Sequence, residues 1–333
     1  MTELLKRLAT LDGTSGDESA VKDFIVKEIS PYCEYETDAL GNIIAFKRGN
    51  KSPKKKIMLD AHMDEVGLII TSFTDDGFLR FKTIGGINTS ALMFKRVKVG
   101  GSINGIISGK PIHLTSGDES KKLPKADELY IDIGAASKEE ARSCVIEGDR
   151  AVMVSDFTEI YDKIISKALD DRIGCAILIK LIKEYDDYDF TAVFSVQEEI
   201  GLRGARVAAF NVDPYAAIII EGTTAADIAD VPEDKSVCSL GDGAAVSFMD
   251  KATVYDREYY YAALNSGIAV QPKRAVAGGN NSGAVHLSRD GVRTIAVSVP
   301  CRYIHSSSSV ADKHDIAAAY ELCKYMINYI ADD

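Results

Sequence analysis

The chain has 333 residues, 46% hydrophobic and 27% charged, and a net charge of −11. That length carries a full core and suits two domains, and the acidic balance argues against a nucleic-acid or anionic-membrane partner. The start, Met1-Thr2-Glu3-Leu4-Leu5-Lys6-Arg7, reads as an amphipathic helix without a signal-type apolar region, and no apolar run nears the roughly 20 residues of a membrane span. Cys33, Cys144, Cys175, Cys238, Cys301 and Cys323 are scattered with no CxxC spacing, so they read as reduced thiols, mostly core. The expectation is a soluble cytoplasmic protein.

In chain order, Thr14-Ser15-Gly16-Asp17-Glu18 reads as a loop and helix cap. The apolar residues Val21, Phe24, Ile25 and Ile29 recur behind it at helical spacing. A turn at 38–42 precedes a strand over 43–46, and the basic stretch 47–56 reads as a solvated loop. A buried strand over 56–61 ends in His62-Met63-Asp64-Glu65-Val66-Gly67. From about Gly67 to Asp162 short alternating strands (66–71, 78–81, 96–99 and 103–107) are separated by turns such as Asp75-Asp76-Gly77 and Gly100-Gly101. A lysine-rich loop follows at 120–125, then a short helix near 138–144. This texture predicts an all-β barrel inserted into an α/β domain, with 67–162 as the insert and 1–66 plus 163–333 as the host.

The α/β pattern resumes at Ala168-Leu169-Asp170-Asp171-Arg172-Ile173-Gly174, which opens a helix over about 173–182. The run 190–196 is a buried strand followed by Gln197-Glu198-Glu199, and 216–220 is another, ending in Glu221-Gly222. Gly278-Gly279-Asn280-Asn281-Ser282-Gly283 is a turn without phosphate-loop spacing. The strand over 293–299 leads to Arg302-Tyr303-Ile304-His305-Ser306, and a helix over 312–330 closes the chain.

Each acidic or histidine feature has a bland reading: a solvated strand end for Glu198-Glu199, helix caps for Asp170-Asp171, a structural histidine for His62. Together they outweigh it, because His62, Asp170, Glu198, Glu199, Glu221 and His305 all fall where open α/β sheets place ligands. Adjacent side chains on an extended segment point to opposite sides, so Glu198 and Glu199 are expected to take different roles. Two histidines and three carboxylates suit two divalent ions, each with one histidine and one private carboxylate and the third carboxylate shared. Such a pair acidifies a shared water, and the leftover glutamate serves as general base and then acid. Asp64, two residues beyond His62 on the same face, suits the partner that fixes a ligating histidine's tautomer. His113, His286 and His314 lack strand-end acids and read as structural. The residues alone reach a dinuclear metal hydrolase of an amide bond.

Four stretches then carry a family resemblance: Asp60-Ala61-His62-Met63-Asp64-Glu65-Val66-Gly67; Ala168-Leu169-Asp170-Asp171-Arg172-Ile173-Gly174; Gln197-Glu198-Glu199-Ile200-Gly201-Leu202-Arg203-Gly204-Ala205; and Arg302-Tyr303-Ile304-His305-Ser306. In this order the chain resembles the M42 metallo-aminopeptidases, also named glutamyl aminopeptidases or endoglucanase M, over nearly its whole length. The resemblance implies a zinc-exopeptidase-like fold, a central mixed sheet flanked by helices with an inserted β-barrel used for self-assembly. It implies one metal on His62, Asp170 and Glu221 and another on Asp170, Glu199 and His305. Glu198 becomes the base and Asp64 the partner of His62. It further implies zinc or cobalt, with manganese also compatible with the ligands, short peptide substrates, and dimers building a twelve-subunit particle. Two departures stand out: many relatives carry aspartate at the position of Glu221, and Gly-Gly-Thr-Asp where this chain has Gly278-Gly279-Asn280-Asn281.

Other readings are a deacylase or carboxypeptidase with a related site, a glycosidase, and a non-catalytic assembly shell. A glycosidase needs two carboxylates facing each other across a sugar and leaves the histidines unexplained. A shell requires no metal.

Overall fold

The computed structural model describes residues 1–333 except 115, 116, 118–122, 233 and 234, so part of the lysine-rich loop expected at 120–125 lies outside the described residues. Helices α1 (Thr2–Thr10) and α2 (Ser19–Ile29) lead into strands β1 (Glu34–Thr37), β2 (Ile43–Lys47) and β3 (Ile57–His62). Six strands follow: β4 (Gly67–Phe73), β5 (Leu79–Ile84), β6 (Arg96–Val99), β7 (Ile103–Ser108), β8 (Tyr130–Asp132) and, after the short helix α3 (Lys138–Arg142), β9 (Arg150–Met153). They close an antiparallel barrel in the order β4-β5-β8-β7-β6-β9 around Leu68, Ile70, Phe81, Val97 and Ile131.

The chain then returns through β10 (Thr158–Ile160) and β11 (Lys163–Ser166) to α4 (Leu169–Glu184), β12 (Phe190–Ser195), α5 (Arg203–Val212) and β13 (Ala216–Thr224). Next come β14 (Ala244–Ser247), α6 (Arg257–Leu264), β15 (Val270–Lys273) and α7 (Ser282–Val285). The chain closes with β16 (Arg293–Arg302), β17 (Ser309–Asp312) and α8 (Lys313–Asp332). Among the described residues, eleven strands form one mixed sheet, whose main path runs β1-β2-β12-β3-β13-β16-β17-β11-β10. Its centre, β12-β3-β13-β16, is parallel. The expected architecture is therefore present: a helix-flanked mixed sheet with an inserted barrel.

Alternation along β3 explains how the sheet is covered on both faces. Ile57, Leu59 and Ala61 pack into the core with α1, α4 and α8, whereas Met58 turns to the opposite face with Ala205, Ala208 and Ala209 of α5. Helix α4 buries residues all round because it lies between the sheet and α1, α2 and α8.

Three local expectations need correction. Lys47 is not in a solvated loop: it ends β2, is buried, and its ammonium donates to Asp186 at 2.8 Å. Glu198 and Glu199 do not continue an extended strand, because β12 stops at Ser195 and Gln197 adopts φ +56° to start a turn. Glu221 is not at the end of its strand. β13 runs on to Thr224 beside β16, while its pairing with β3 stops at Ile219, so Glu221 stands where β3, still paired with β12 to His62, parts from β13.

Candidate active site

The site forms beyond the C-terminal ends of β3 and β12, at the edge opened beside β13, where parallel strands direct their loops into a crevice. His62 ends β3, and its Nδ1 lies 3.1 Å from the Asp64 carbonyl oxygen and 3.4 Å from the Asp64 carboxylate. His305 follows β16 and places its Nδ1 2.9 Å from the carbonyl oxygen of Gly86, in the barrel segment just after β5. A carbonyl oxygen can only accept from Nδ1–H, so in the neutral form each ring carries its lone pair on Nε2. The two Nε2 atoms converge on opposite oxygens of one carboxylate: His62 on Asp170 Oδ1 at 3.3 Å and His305 on Asp170 Oδ2 at 3.5 Å. His305 Nε2 is also 3.2 Å from Glu199 Oε1. Ligand atoms of His62, Asp170 and Glu199 all lie within 4.8 Å of one another.

The two aspartates at the start of α4 divide their work. Asp170 faces the histidines, whereas Asp171 accepts the backbone N–H of His62 at 3.2 Å and of Gly174 at 2.9 Å, tying β3 to the helix start. The peptide bond between them is cis. Glu221 lines the same cavity, and its Oε1 accepts hydrogen bonds from Asn280 Nδ2 at 2.9 Å and Ser298 Oγ at 2.8 Å. Glu198 lines it as well, without an ion pair to either histidine among the described residues. His113 and His314 are exposed, His286 hydrogen-bonds Ser282, and none of the three lines the cavity.

Asp64 organises the glutamate turn. Its Oδ1 accepts the Glu198 N–H at 2.9 Å, and its Oδ2 accepts the Glu199 N–H at 3.1 Å and the Ser15 hydroxyl at 2.6 Å. One buried carboxylate thus orients His62 and both glutamates. Glu18 supports the same turn by accepting the Gln197 N–H at 3.2 Å, and Asn42 accepts the Val196 N–H at 2.9 Å. Sequence reading passed over Ser15, Glu18 and Asn42, which sit in ordinary-looking polar loops. The barrel's contribution went unnoticed too. Gly85 has φ +80°, and a Cβ there would stand 2.7 Å from Val66 and 3.2 Å from Glu199, so a side chain would displace a site residue.

The electrostatics suit cations. Asp60, Asp64, Asp170, Asp171, Glu198, Glu199 and Glu221 crowd around two histidines. Burial pushes the Glu221 and Asp60 carboxyls up to about 7 and the Glu198 carboxyl well above the usual range. Burial alone would lower His305, but Asp170 and Glu199 outweigh it and hold the ring up to about 11. So much buried negative charge calls for compensating positive charge, and the donors are the imidazole nitrogens and carboxylate oxygens that borderline divalent ions prefer. His62, Asp170 and Glu199 fit such an ion, and His305 reaches the second oxygen of the same Asp170.

The model of the M42 glutamyl aminopeptidase family matches residues 41–322. The chain belongs to that family. As an M42 protein it is an aminopeptidase, a hydrolase, as its sequence resemblance implied. An Acetivibrio thermocellus protein named as an aminopeptidase is 38% identical to it over 97% of both chains. The lysyl aminopeptidase of Pyrococcus furiosus is 31% identical over 98% of this chain and 96% of the other. Among solved structures, the TET1 peptidase of Pyrococcus horikoshii, described as assembling into a tetrahedron or a large octahedral shell, superposes with a TM-score of 0.85 at 33% identity, covering 97% of this M42 chain and 98% of that one.

Proposed function

We propose that the chain is a co-catalytic, two-metal aminopeptidase that removes N-terminal residues from short peptides. The observation that carries this is the convergence of both histidine Nε2 atoms on the two oxygens of Asp170. In this reading His62, Asp170 and Glu221 hold one divalent ion, and Asp170, Glu199 and His305 the other. Zinc or cobalt is the expected metal, and the ligands also accept manganese. Two ions there would supply an acidified water and a polarised scissile carbonyl. Glu198, tied to Asp64 through its backbone, takes the proton of the attacking water and returns it to the leaving amine. Asp64 acts by orienting His62 and the glutamate turn. The match to the M42 glutamyl aminopeptidase model favours an aminopeptidase over a carboxypeptidase.

The reading extends to the whole molecule. The barrel within the 67–162 insert, between 1–66 and 163–333, serves as an assembly module, and dimers build a twelve-subunit particle. Support comes from the shells described for the TET1 peptidase. The barrel strands end at Met153, and β10 already pairs with the large sheet. No helix among the described residues is long and apolar enough to cross a membrane. With its net charge of −11 the protein is read as a cytoplasmic enzyme that binds neither nucleic acid nor membranes.

Metal analysis with hydrolysis of aminoacyl anilides, before and after chelation, tests the core of this reading. The expected result is about two divalent ions per chain, activity lost on stripping, and recovery with zinc or cobalt. His305→Ala should bind fewer ions. Full activity after stripping would defeat the metal mechanism. Inactivity with every anilide under full metal occupancy would defeat the aminopeptidase assignment.

A second prediction arises from the departure at 280–281. Asn280 donates to both Glu221 and the Tyr255 hydroxyl (2.9 Å each), and Tyr255 donates to Asp250 at 2.6 Å. Asn281 donates to Asp60 at 2.6 Å and Ser195 at 2.9 Å, so an amide meets a buried carboxylate. Asn280→Ala removes a hydrogen bond that orients Glu221. It is expected to weaken binding of one metal about 10- to 100-fold, read by competition with a chelator. An unchanged metal affinity would show that Ser298 alone suffices to hold Glu221.

A further inference from the structure

Glu18 stands at the N-cap of α2, where a side-chain oxygen ordinarily accepts N–H groups of its own first turn. It makes no such bond. Its side chain turns away from the helix, and one oxygen, Oε1, accepts the N–H of Gly16 at 2.8 Å and that of Gln197, 179 residues along the chain, at 3.2 Å. Glu18 is only 7% exposed. No ion pair of its carboxylate occurs among the described residues, and burial, together with repulsion from Asp64, pushes the carboxyl above its usual range. A carboxylate is seldom buried to that extent without a cation, because it gives up water for little return to the fold.

The residue it holds supplies the return. Gln197 adopts φ +56°, a left-handed conformation that a non-glycine residue keeps only where its surroundings impose it. Three successive N–H groups leave this bend, and three carboxylate oxygens receive them: Gln197 donates to Glu18 Oε1, Glu198 to Asp64 Oδ1 and Glu199 to Asp64 Oδ2. Asp64 bears on His62 as well, whereas Glu18 reaches the site through the Gln197 N–H alone among the described hydrogen bonds. We infer that Glu18 is a positioning residue for the reaction: by fixing the bend at Gln197 it sets the direction in which the Glu198 carboxylate enters the cavity. The inference rests on the reading of Glu198 as general base and deepens it. Glu199 has a further hold in His305, 3.2 Å away, so loss of Glu18 disturbs the proton carrier more than the metal cluster. The competing role is a structural one, in which Glu18 merely keeps its own loop in place through Gly16.

The two roles separate by experiment on the full chain loaded with zinc or cobalt, with kcat and KM measured on an aminoacyl anilide beside metal content and the denaturation midpoint. Glu18→Ala should lower kcat by about 10- to 100-fold, the scale of a small misplacement of a catalytic group, with KM and metal content unchanged. Glu18→Gln, whose amide oxygen still accepts both N–H groups, should keep most of the turnover. Glu18→Asp is one methylene shorter and a favoured helix cap, so it should hold the midpoint yet lose turnover as alanine does. This variant decides the matter if alanine fails to fold. In a Glu198→Gln background, Glu18→Ala should add no further loss, since both act through one side chain. Wild-type kcat in Glu18→Asp overturns the proposal. So do equal losses in Glu18→Gln and Glu18→Ala, a loss of kcat that only follows the midpoint or the metal content, and a full additional loss in the double variant. A Glu198→Gln protein as active as the wild type overturns the base reading itself, and this inference with it.

Discussion

Replacing Glu198 with glutamine is expected to lower kcat by about 10²- to 10⁴-fold, the usual contribution of a positioned general base, while about two divalent ions stay bound. The two neighbouring glutamates are held differently, and the prediction follows from that difference. Glu199 reaches His305 at 3.2 Å and lies close to His62 and Asp170, so its carboxylate belongs to the group that could hold a metal. Glu198 faces the same cavity but joins neither histidine, and its link to Asp64 runs through its backbone N–H. Glutamine keeps the shape and that backbone bond and removes only the ability to take a proton. Metal content by elemental analysis and substrate binding by calorimetry should therefore match the wild type while turnover disappears. Retained turnover would remove Glu198 from the mechanism. Loss of metal in the same variant would make it a ligand instead.

Replacing Arg172 with leucine is expected to destabilise the fold by about 3–5 kcal/mol, the range for removing one partner of a buried ion pair. Arg172 is fully buried. Its Nε donates to the Met63 carbonyl at 2.8 Å, its Nη1 to the carbonyls of Leu8 at 2.7 Å and Leu11 at 3.3 Å, and its Nη2 approaches Glu65 at 3.4 Å. One guanidinium therefore ties the first helix and the segment after β3 to α4. Gly13 leaves it room, for a Cβ there would fall 2.6 Å from Nη2. Leucine orphans those carbonyls and leaves Glu65 to Lys167, 2.5 Å away. Lysine should recover only part of the loss, since a point charge cannot reproduce the fork. Met63 lies between His62 and Asp64, so metal affinity should fall along with the denaturation midpoint. A midpoint shift worth less than about 0.5 kcal/mol, the size of an ordinary surface substitution, would refute the staple role.

Much of this protein was legible from one dimension. Short apolar strands alternating with helical periodicity announced the α/β sheet, and the closely spaced turns between Gly67 and Asp162 announced the barrel. Both signals are local: side-chain period is a property of a single element, and burial imposes it wherever that element packs. The ligand-type residues were legible for a related reason, because His62, Asp170, Glu198, Glu199 and His305 follow or open elements whose ends a parallel sheet gathers at one edge.

What only the tertiary structure decided was how those ends meet. Asp170 rather than Asp171 turns to the histidines, which depends on the backbone conformation at the start of α4. Glu221 reaches the crevice from inside β13 because β3 parts from β13 after Asp60 while staying with β12 to His62, a matter of register between strands about 160 residues apart in sequence. Gly86 reaches His305 out of the barrel, and Ser15 reaches Asp64 from a loop near the N-terminus. None of these contacts leaves a periodic trace in the sequence. Each joins segments far apart along the chain, and the closure of the whole core sets its geometry.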